Sequence, residues 1–325
     1  MRTHAIRFAK TGGPEVLSWE EVEVGEPGQG QVLLRQTAVC LNYIDTYHRS
    51  GLYKVELPSG LGTEGAGVVE KVGSGVSDLK LGDRVAYATG PLGAYSQYRL
   101  YPADRAVKLP ANISDQQAAA MMLQGMTVEY LIRRTFTVKP GMTVLLHAAA
   151  GGVGLIASQW LKHVGATVIG TAGSPEKLAL AQKNGCAHII DYTKEDVAKR
   201  VREITGGKGV PVVYDGVGKD TFDGSLKSLA KRGHLVLYGG ASGPVAPVDP
   251  LALMRGGSLY LTRPTLFDYA ATTAELDTAA KAMFALMRDD KLKVSIGQRF
   301  ALKDAADAHR ALEARQTTGS TLLIP

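Results

Sequence analysis

A chain of 325 residues is longer than one hydrophobic core usually serves, so two domains are expected. Hydrophobic residues at 45% and charged residues at 21% are ordinary for a soluble globular protein, which excludes disordered and fibrous classes. The net charge of +6 comes from scattered Lys and Arg without a long like-charge run, which favours anionic ligands in general but does not indicate a nucleic-acid groove.

Roughly the first 110 residues read as β-rich, because short Val-rich runs such as "QVLLRQTAV", "GAGVVEKV" and "DRVAYA" alternate with Gly, Pro and Asp turns. Such short, tightly joined strands predict a barrel-like antiparallel domain. The pattern changes at Asp115–Phe136. Ser114 is a candidate N-cap there, and the spacing from Ala118 to Ile132 predicts one helix. Strands and helices then alternate. "TVLLHA" reads as a strand, "VGLIASQWLKHV" as a helix ended by Gly165, and "ATVIGTA" as a strand. "SPEKLALAQKN" reads as a helix with Ser174 as N-cap, Pro175 at its first position and Gly185 after its end. "AHIIDY", "PVVYDGVG", "HLVLYGG" and "SLYLTRP" continue as strands, with helical runs at 194–204 and 220–229. Alternation of this kind predicts an α/β domain with a doubly wound parallel sheet. In the tail, "TTAELDTAAKAMFALMRD" reads as a helix, and "ALKDAADAHRALEARQTTGSTLLIP" as a helix followed by a closing strand.

The two cysteines, Cys40 and Cys186, are not in a CxxC arrangement, so a disulfide scaffold and a Cys-rich zinc module are not expected. Both read as small buried residues. No run of 18 apolar residues occurs, and "MRTHAIRFAK" lacks the apolar region of a signal peptide. A cytoplasmic protein with no membrane partner is the default expectation.

The stretch "TVLLHAAAGGVGLIASQW" places small residues between a strand and a helix. That is the setting of a dinucleotide-binding turn, with Ala149 at the first glycine place and Gly151, Gly152 and Gly154 following. Free N–H groups at the helix start attract phosphate, and a glycine at 154 permits close helix–strand packing. Ala150, Gly151, Gly152 and Val153 are therefore cofactor-binding candidates. NAD-binding turns usually carry an acid about 20 residues on, at the end of the next strand. Thr171-Ala172-Gly173-Ser174 has none, whereas Ser174 and Lys177 suit a 2′-phosphate, so NADP(H) is the expected cofactor. Glu176 reads as a solvent-facing first-turn carboxylate. No Ser-His-Asp or Cys-His grouping stands out, and His147 at a strand end reads as a core histidine.

"GMTVLLHAAAGGVGLIASQWLK", "LNYIDTYHRSGLY", "LPSGLGTEGAGVVEKVGSGV" and "GDRVAY" together resemble the quinone oxidoreductase/zeta-crystallin group of medium-chain dehydrogenases/reductases. The resemblance runs nearly the whole length of the chain. It implies a GroES-like catalytic domain over 1–124, completed by 288–325, and a Rossmann NADP-binding domain over 125–287. It also implies a homodimer, whose edge strand is expected near Ser258–Thr265. Zinc relatives in this superfamily hold their metal with Cys, His and Cys. The corresponding places here are Asn42, Thr63 and the neighbourhood of Leu123, with Cys40 two residues out of register, so no metal is expected.

The implied activity is NADPH-dependent reduction of a quinone, by hydride or electrons, in the cleft between the domains. A metal-free pocket equally suits an enone or alkenal reductase. A different class, a non-catalytic nucleotide- or RNA-binding protein, is kept open by the positive charge. Substrate-pocket candidates are Asn42, Asp45, Tyr47 and Tyr53, with no firm catalytic residue among them. Asn42 and Tyr47 are placed near the nicotinamide by the resemblance. Asp45 also reads as a local carboxylate cap and Tyr53 as a loop aromatic. Gly173, in the Thr171–Ser174 turn, is also a cofactor-binding candidate; the resemblance adds Tyr192, Gly216, Val217, Ser242, Leu266, Phe267 and Arg315 as cofactor contacts, with Arg263 and Pro264 ending the last strand.

Overall fold

The computed structural model describes residues 1–325. Strands β1 (Arg2–Phe8), β2 (Ser18–Glu23) and β3 (Gln31–Leu41) lead to helix α1 (Tyr43–Ser50). The short β4 (Ser59–Gly60) is followed by β5 (Gly65–Val72), β6 (Arg84–Tyr87), β7 (Tyr98–Pro102) and β8 (Val107–Lys108), then α2 (Asp115–Ala119) and α3 (Met122–Tyr130). The alternating part comprises β9 (Thr143–Leu146), α4 (Gly152–Val164), β10 (Thr167–Ala172), α5 (Pro175–Lys183), β11 (His188–Asp191), α6 (Val197–Ile204), β12 (Val210–Asp215), α7 (Phe222–Ser228) and β13 (Leu229–Leu237). It ends with α8 (Pro250–Arg255), β14 (Tyr260–Thr262) and α9 (Leu266–Tyr269). The tail contains α10 (Thr273–Arg288), β15 (Ile296–Ala301), α11 (Ala305–Glu313) and β16 (Ser320–Ile324).

The chain divides into two compact units. The first comprises residues 1–126, 270–284 and 294–325. Its larger sheet runs β15-β16-β3-β5-β6-β8 with β7 also on β3, and a smaller one runs β2-β1-β4. Both sheets are antiparallel apart from the β15–β16 pair. They enclose a core of Phe8, Leu34, Leu61, Tyr87, Tyr95, Tyr101 and Leu323. The second unit comprises residues 127–269 and 285–293. Its sheet is parallel throughout, in the doubly wound order β11-β10-β9-β12-β13-β14. Leu145, Ile169, Val213 and Leu235 are fully buried in it, as continuous apolar strands in a two-sided sheet should be.

Two expectations change. Residues 270–284, expected in the Rossmann domain, pack with the first unit, and residues 288–293, expected with the catalytic domain, pack with the second. Arg105 donates to the carbonyls of Ala270 and Ala271, and Thr273 Oγ1 donates to the Asp104 carbonyl. A side chain on Gly125 would run into Met283, so α10 lies close to α3 there. The single helix expected over 118–132 is broken. α2 stops at Ala119, α3 starts at Met122, and Leu131–Thr135 closes as a π-type turn. The break leaves the Ala120 carbonyl and the Leu123 N–H for side-chain partners outside the helix.

Helix boundaries elsewhere follow local chemistry. Ser174 caps α5 by accepting the Lys177 N–H at 3.4 Å, with Pro175 in the first turn. Asp196 caps α6, which therefore begins three residues later than the expected 194. Gly165 ends α4 at φ 87°, a left-handed value suited to glycine.

α4 packs so closely on the turn after β9 that a Cβ on Gly154 would lie 2.7 Å from Ala149 Cα. Gly154→Val forces that contact and gains little from helix propensity. It is expected to cost about 3 kcal/mol, seen as a lower urea midpoint at an unchanged slope. An unaltered midpoint would show that the helix moves off the turn freely.

Candidate functional site

In the second unit the strand ends present bare backbone. After β9 the chain turns through Ala148, whose φ of 52° is unusual for a residue with a Cβ. The Gly151 N–H returns to the Ala148 carbonyl at 2.9 Å, and the Ala149 N–H donates to the Thr171 carbonyl of β10 at 3.0 Å. Gly151 is the N-cap of α4 and offers no side-chain acceptor to the helix. Ala150, Gly151, Gly152 and Val153 therefore surround the start of a 13-residue helix whose first N–H groups have no side-chain partner. This cradle fits a pyrophosphate. Gly173 follows β10, and a Cβ there would lie 2.6 Å from Tyr192 Cζ. Tyr192, 42% exposed, thus lies against Gly173 beside Ser174 and Lys177. Glu176 is exposed, as expected, and hydrogen bonds from the backbone and Ser174 hold its carboxyl below the usual range.

Beneath the cradle lies a polar cluster that sequence reasoning missed. Asp215, fully buried at the end of β12, accepts the N–H groups of Val217 and Gly218 at 2.8 and 3.0 Å. Its carboxylate also accepts the hydroxyls of Thr221 and Ser225, each at 2.7 Å to Oδ2. Ser225 in turn meets His147 Nε2 at 3.0 Å, and His147 Nδ1 meets Thr171 Oγ1 at 3.0 Å. His147 is therefore a satisfied core histidine, as its strand-end position suggested. Gly216 and Val217 lie in the loop held by Asp215. Ser242 is tied to the same loop, its Oγ donating to the Val217 carbonyl at 2.9 Å and accepting the Asp220 N–H at 3.0 Å. Arg263 donates to the carbonyls of Leu237 and Gly239, which secures the end of β13. On α9, Leu266 is buried and Phe267 is 38% exposed. A distant Asp and Ser carry no local spacing signal, but "YDGVG" after an apolar strand was a usable hint.

In the first unit, Asn42 is the N-cap of α1, and its side chain points into a buried cluster. Nδ2 donates to Glu64 Oε2 at 2.6 Å, and Oδ1 accepts Gln124 Nε2 at 3.1 Å. The Leu123 N–H reaches Glu64 Oε1 at 2.6 Å. Thr63 is buried with no partner for its hydroxyl. At the three places corresponding to zinc ligands stand an engaged amide, a hydroxyl and an aliphatic chain. This donor set does not fit tetrahedral zinc. Cys40 is fully buried, and burial pushes its thiol well up. Cys186 is also buried and free, and meets Ser158 Oγ at 3.2 Å.

Asp45 is fully buried on α1. Its Oδ2 accepts the Asn42 N–H at 2.9 Å and the Tyr95 hydroxyl at 3.0 Å, while Oδ1 has no partner. The expected capping role holds. Beyond Tyr95, His309 Nε2 lies 3.2 Å from the phenol, and Nδ1 lies 2.8 Å from Arg49, which pairs with Glu313 at 2.6 Å. Arg49 can only donate, so His309 accepts at Nδ1 and carries its proton on Nε2. Tyr47 is buried and meets Tyr53 edge-on, ring centroids 5.3 Å apart, with Tyr53 37% exposed. The structure thus brings together Asn42, Asp45, Tyr47 and Tyr53 around α1. Arg315 lies in the same unit after α11, at a left-handed φ of 60°.

Burial raises the Glu64 carboxyl to about 8 and the Asp45 carboxyl to about 7, against hydrogen bonds that pull both down. Burial and the Arg49 charge lower His309 to about 3. A carboxyl raised in the fold adds stability below its unfolded value of about 4, and that stability is lost as pH rises through the folded value. A lowered histidine does the opposite: its contribution is full above about 6.5 and is lost as pH falls toward about 3. Glu64→Gln should therefore reduce the fall in Tm between about pH 6 and about pH 9. His309→Gln should flatten the slope between about pH 6 and about pH 4. Thermal unfolding across pH checks both, and slopes equal to those of the unaltered chain would refute them.

Residues 28–111 match the alcohol dehydrogenase GroES-like domain, and residues 152–285 match the zinc-binding dehydrogenase family. The chain is 54% identical to a quinone oxidoreductase of Pseudomonas aeruginosa over 321 residues, covering 98% of this chain and 99% of that protein. It is 49% identical to a 2-haloacrylate reductase of Burkholderia sp, covering 97% of each. The solved Escherichia coli quinone oxidoreductase complexed with NADPH superposes with a TM-score of 0.98 at 50% identity, covering 99% of this chain and all of that one. Fold, turn and sequence agree over the full length: the chain belongs to the quinone oxidoreductase family.

Proposed function

We propose that the chain reduces quinones with NADPH and without a metal. The observation that carries this reading is the donor set at Asn42, Thr63 and Leu123, which cannot make a zinc site, in a chain about half identical to quinone oxidoreductases. The nicotinamide cofactor supplies the hydride when bound. A quinone is electron-poor and accepts hydride or electrons without a Lewis acid, unlike an alcohol, whose oxidation profits from one.

The chain's own residues bind and orient. The N–H groups opening α4 hold the pyrophosphate, with Gly173, Tyr192, Ser174 and Lys177 around the adenosine ribose and its 2′-phosphate, and Arg315 as a further cation. Gly216, Val217, Ser242, Leu266 and Phe267 line the nicotinamide end. Asn42, Tyr47 and Tyr53 face the acceptor, where a tyrosine ring suits a flat quinone and its hydroxyl suits a carbonyl oxygen. Asp45 holds α1 in place rather than touching substrate. The second reading is reduction of a polarised alkene, supported by the 2-haloacrylate reductase relative. The two are separated by kcat/KM for benzoquinones against α,β-unsaturated aldehydes, measured with and without a chelator. Preference for quinones and indifference to the chelator are expected; chelator-sensitive turnover would sink the metal-free assignment.

Cofactor choice tests the phosphate reading. A partly exposed charge-assisted contact contributes roughly 1.5–3 kcal/mol, so Lys177→Ala should weaken NADPH about 10- to 100-fold and leave NADH nearly unchanged. Gly173→Asp also disfavours the 2′-phosphate, but it must displace Tyr192, so Lys177→Ala is the cleaner test. Equal weakening of both cofactors by Lys177→Ala would show that this lysine does not read the phosphate.

The proposal extends to a cytoplasmic homodimer. No helix is long and apolar enough to cross a membrane, and both cysteines are free thiols. β14 is the terminal strand of the parallel sheet, with Tyr260 55% exposed, within the expected Ser258–Thr265 segment. An open apolar edge invites pairing, and a two-fold axis would make the two sheets continuous. Sedimentation at micromolar concentration should give a dimer, shifted toward monomer by Tyr260→Lys. A monomeric parent chain would contradict this.

A further inference from the structure

Four buried side chains join end to end at Asn42. The Ser320 hydroxyl of β16 lies 2.8 Å from Gln124 Oε1 on α3, Gln124 Nε2 donates to Asn42 Oδ1 at 3.1 Å, and Asn42 Nδ2 donates to Glu64 Oε2 at 2.6 Å. Along this chain each link runs toward the carboxylate, although Gln124 Nε2 also lies 3.8 Å from Cys40 Sγ and the Ser320 hydroxyl 2.7 Å from the Ala120 carbonyl. The other carboxylate oxygen is taken by the Leu123 N–H.

The same atom positions accept the opposite direction. Amide oxygen and nitrogen are nearly the same size, so both amides turn over without repacking. With a proton on Glu64, its O–H donates to Asn42, Asn42 donates to Gln124, and Gln124 donates to Ser320. The Ser320 hydroxyl then turns to the Ala120 carbonyl, already 2.7 Å away. In both directions every link joins a donor to an acceptor, whereas a mixed direction sets two donors or two acceptors face to face. The chain therefore has two complete states. Asn42 spends one donor or acceptor valence at each end in either state. Reversal exchanges the places of its spare N–H and its spare lone pair.

We propose that Glu64, Gln124 and Ser320 are positioning residues that decide whether Asn42 turns a donor or an acceptor toward the bound nicotinamide and its substrate. This rests on the placement of Asn42 in the reading above. The proton on Glu64 sets the direction. The titratable groups facing that carboxyl are Cys40 from β3, Asp45 from α1 and Tyr87 from β6. Arg99 lies over the Tyr87 ring, 5.1 Å from its centroid, and bonds the phenol. Burial already raises the Glu64 carboxyl to about 8, so both states are accessible near neutral pH.

The test uses the full chain and four proteins: the parent, Asn42→Ala, Glu64→Gln and Gln124→Met. For each, kcat and KM for NADPH and a benzoquinone are measured between about pH 6 and about pH 9, alongside Kd for NADPH and Tm. In Glu64→Gln the Leu123 N–H still requires an oxygen, so the new amide nitrogen faces Asn42 and locks the reversed state. The parent is expected to show a step in kcat/KM near pH 8. Glu64→Gln should remain folded with Tm unchanged or higher, lose the step, and differ about tenfold from the high-pH parent. Gln124→Met cuts the chain and should also flatten the step. A step that persists in Glu64→Gln, or activity losses that merely track Tm, would overturn the proposal while Asn42→Ala remains impaired. If Asn42→Ala is unimpaired, the placement of Asn42 fails and the proposal falls with it.

Discussion

The strand ends of the parallel sheet are tied together through one buried carboxylate. Asp215 sits at the end of β12 with no access to solvent, where a polar group needs hydrogen-bond partners. Two backbone N–H groups and two hydroxyls do so, from the Gly216–Gly218 loop and from α7. Through Ser225 and His147 the same network reaches Thr171 on β10. Three strand ends and one helix are thereby held in a single arrangement.

In the first unit the places that correspond to zinc ligands carry other chemistry. Asn42 and the Leu123 N–H are both bound to Glu64, while the Thr63 hydroxyl is buried without a partner. A zinc ion would stabilise developing negative charge by Lewis acidity. An amide held by a carboxyl has only hydrogen bonds to offer. That narrows the chemistry to acceptors that are already electrophilic, consistent with the quinone and haloacrylate reductases among the relatives. The break between α2 and α3 belongs to this arrangement, since it frees the Leu123 N–H for Glu64 and the Ala120 carbonyl for Ser320.

Much of this was legible in the sequence because the signals are local. The period of apolar residues separates a β-rich unit from an alternating one. The order small–Gly–Gly–x–Gly after an apolar strand marks the turn, and the absence of an acid at Thr171–Ser174 bears on the cofactor. Caps at Ser174 and Gly165 act within one helical turn, so a short window contains their whole cause. The boundary of the second unit was less legible. α10 has a helical pattern whichever unit it joins; Thr273 at its start bonds Asp104, and Ala270 and Ala271 just before it bond Arg105, far away in the chain.

By itself the sequence determined the two classes of unit, the glycine-rich strand–turn–helix and the lack of zinc ligands, because each depends on residue type and near spacing. Only the tertiary structure decided that Glu64, Gln124 and Ser320 meet Asn42, that Asp215 reaches His147 through Ser225, and that Tyr192 lies against Gly173. These partners lie between 10 and 196 residues apart along the chain. No pattern in a short window encodes such a meeting. It is set by sheet order and helix packing, which bring together buried polar groups that could not remain buried alone.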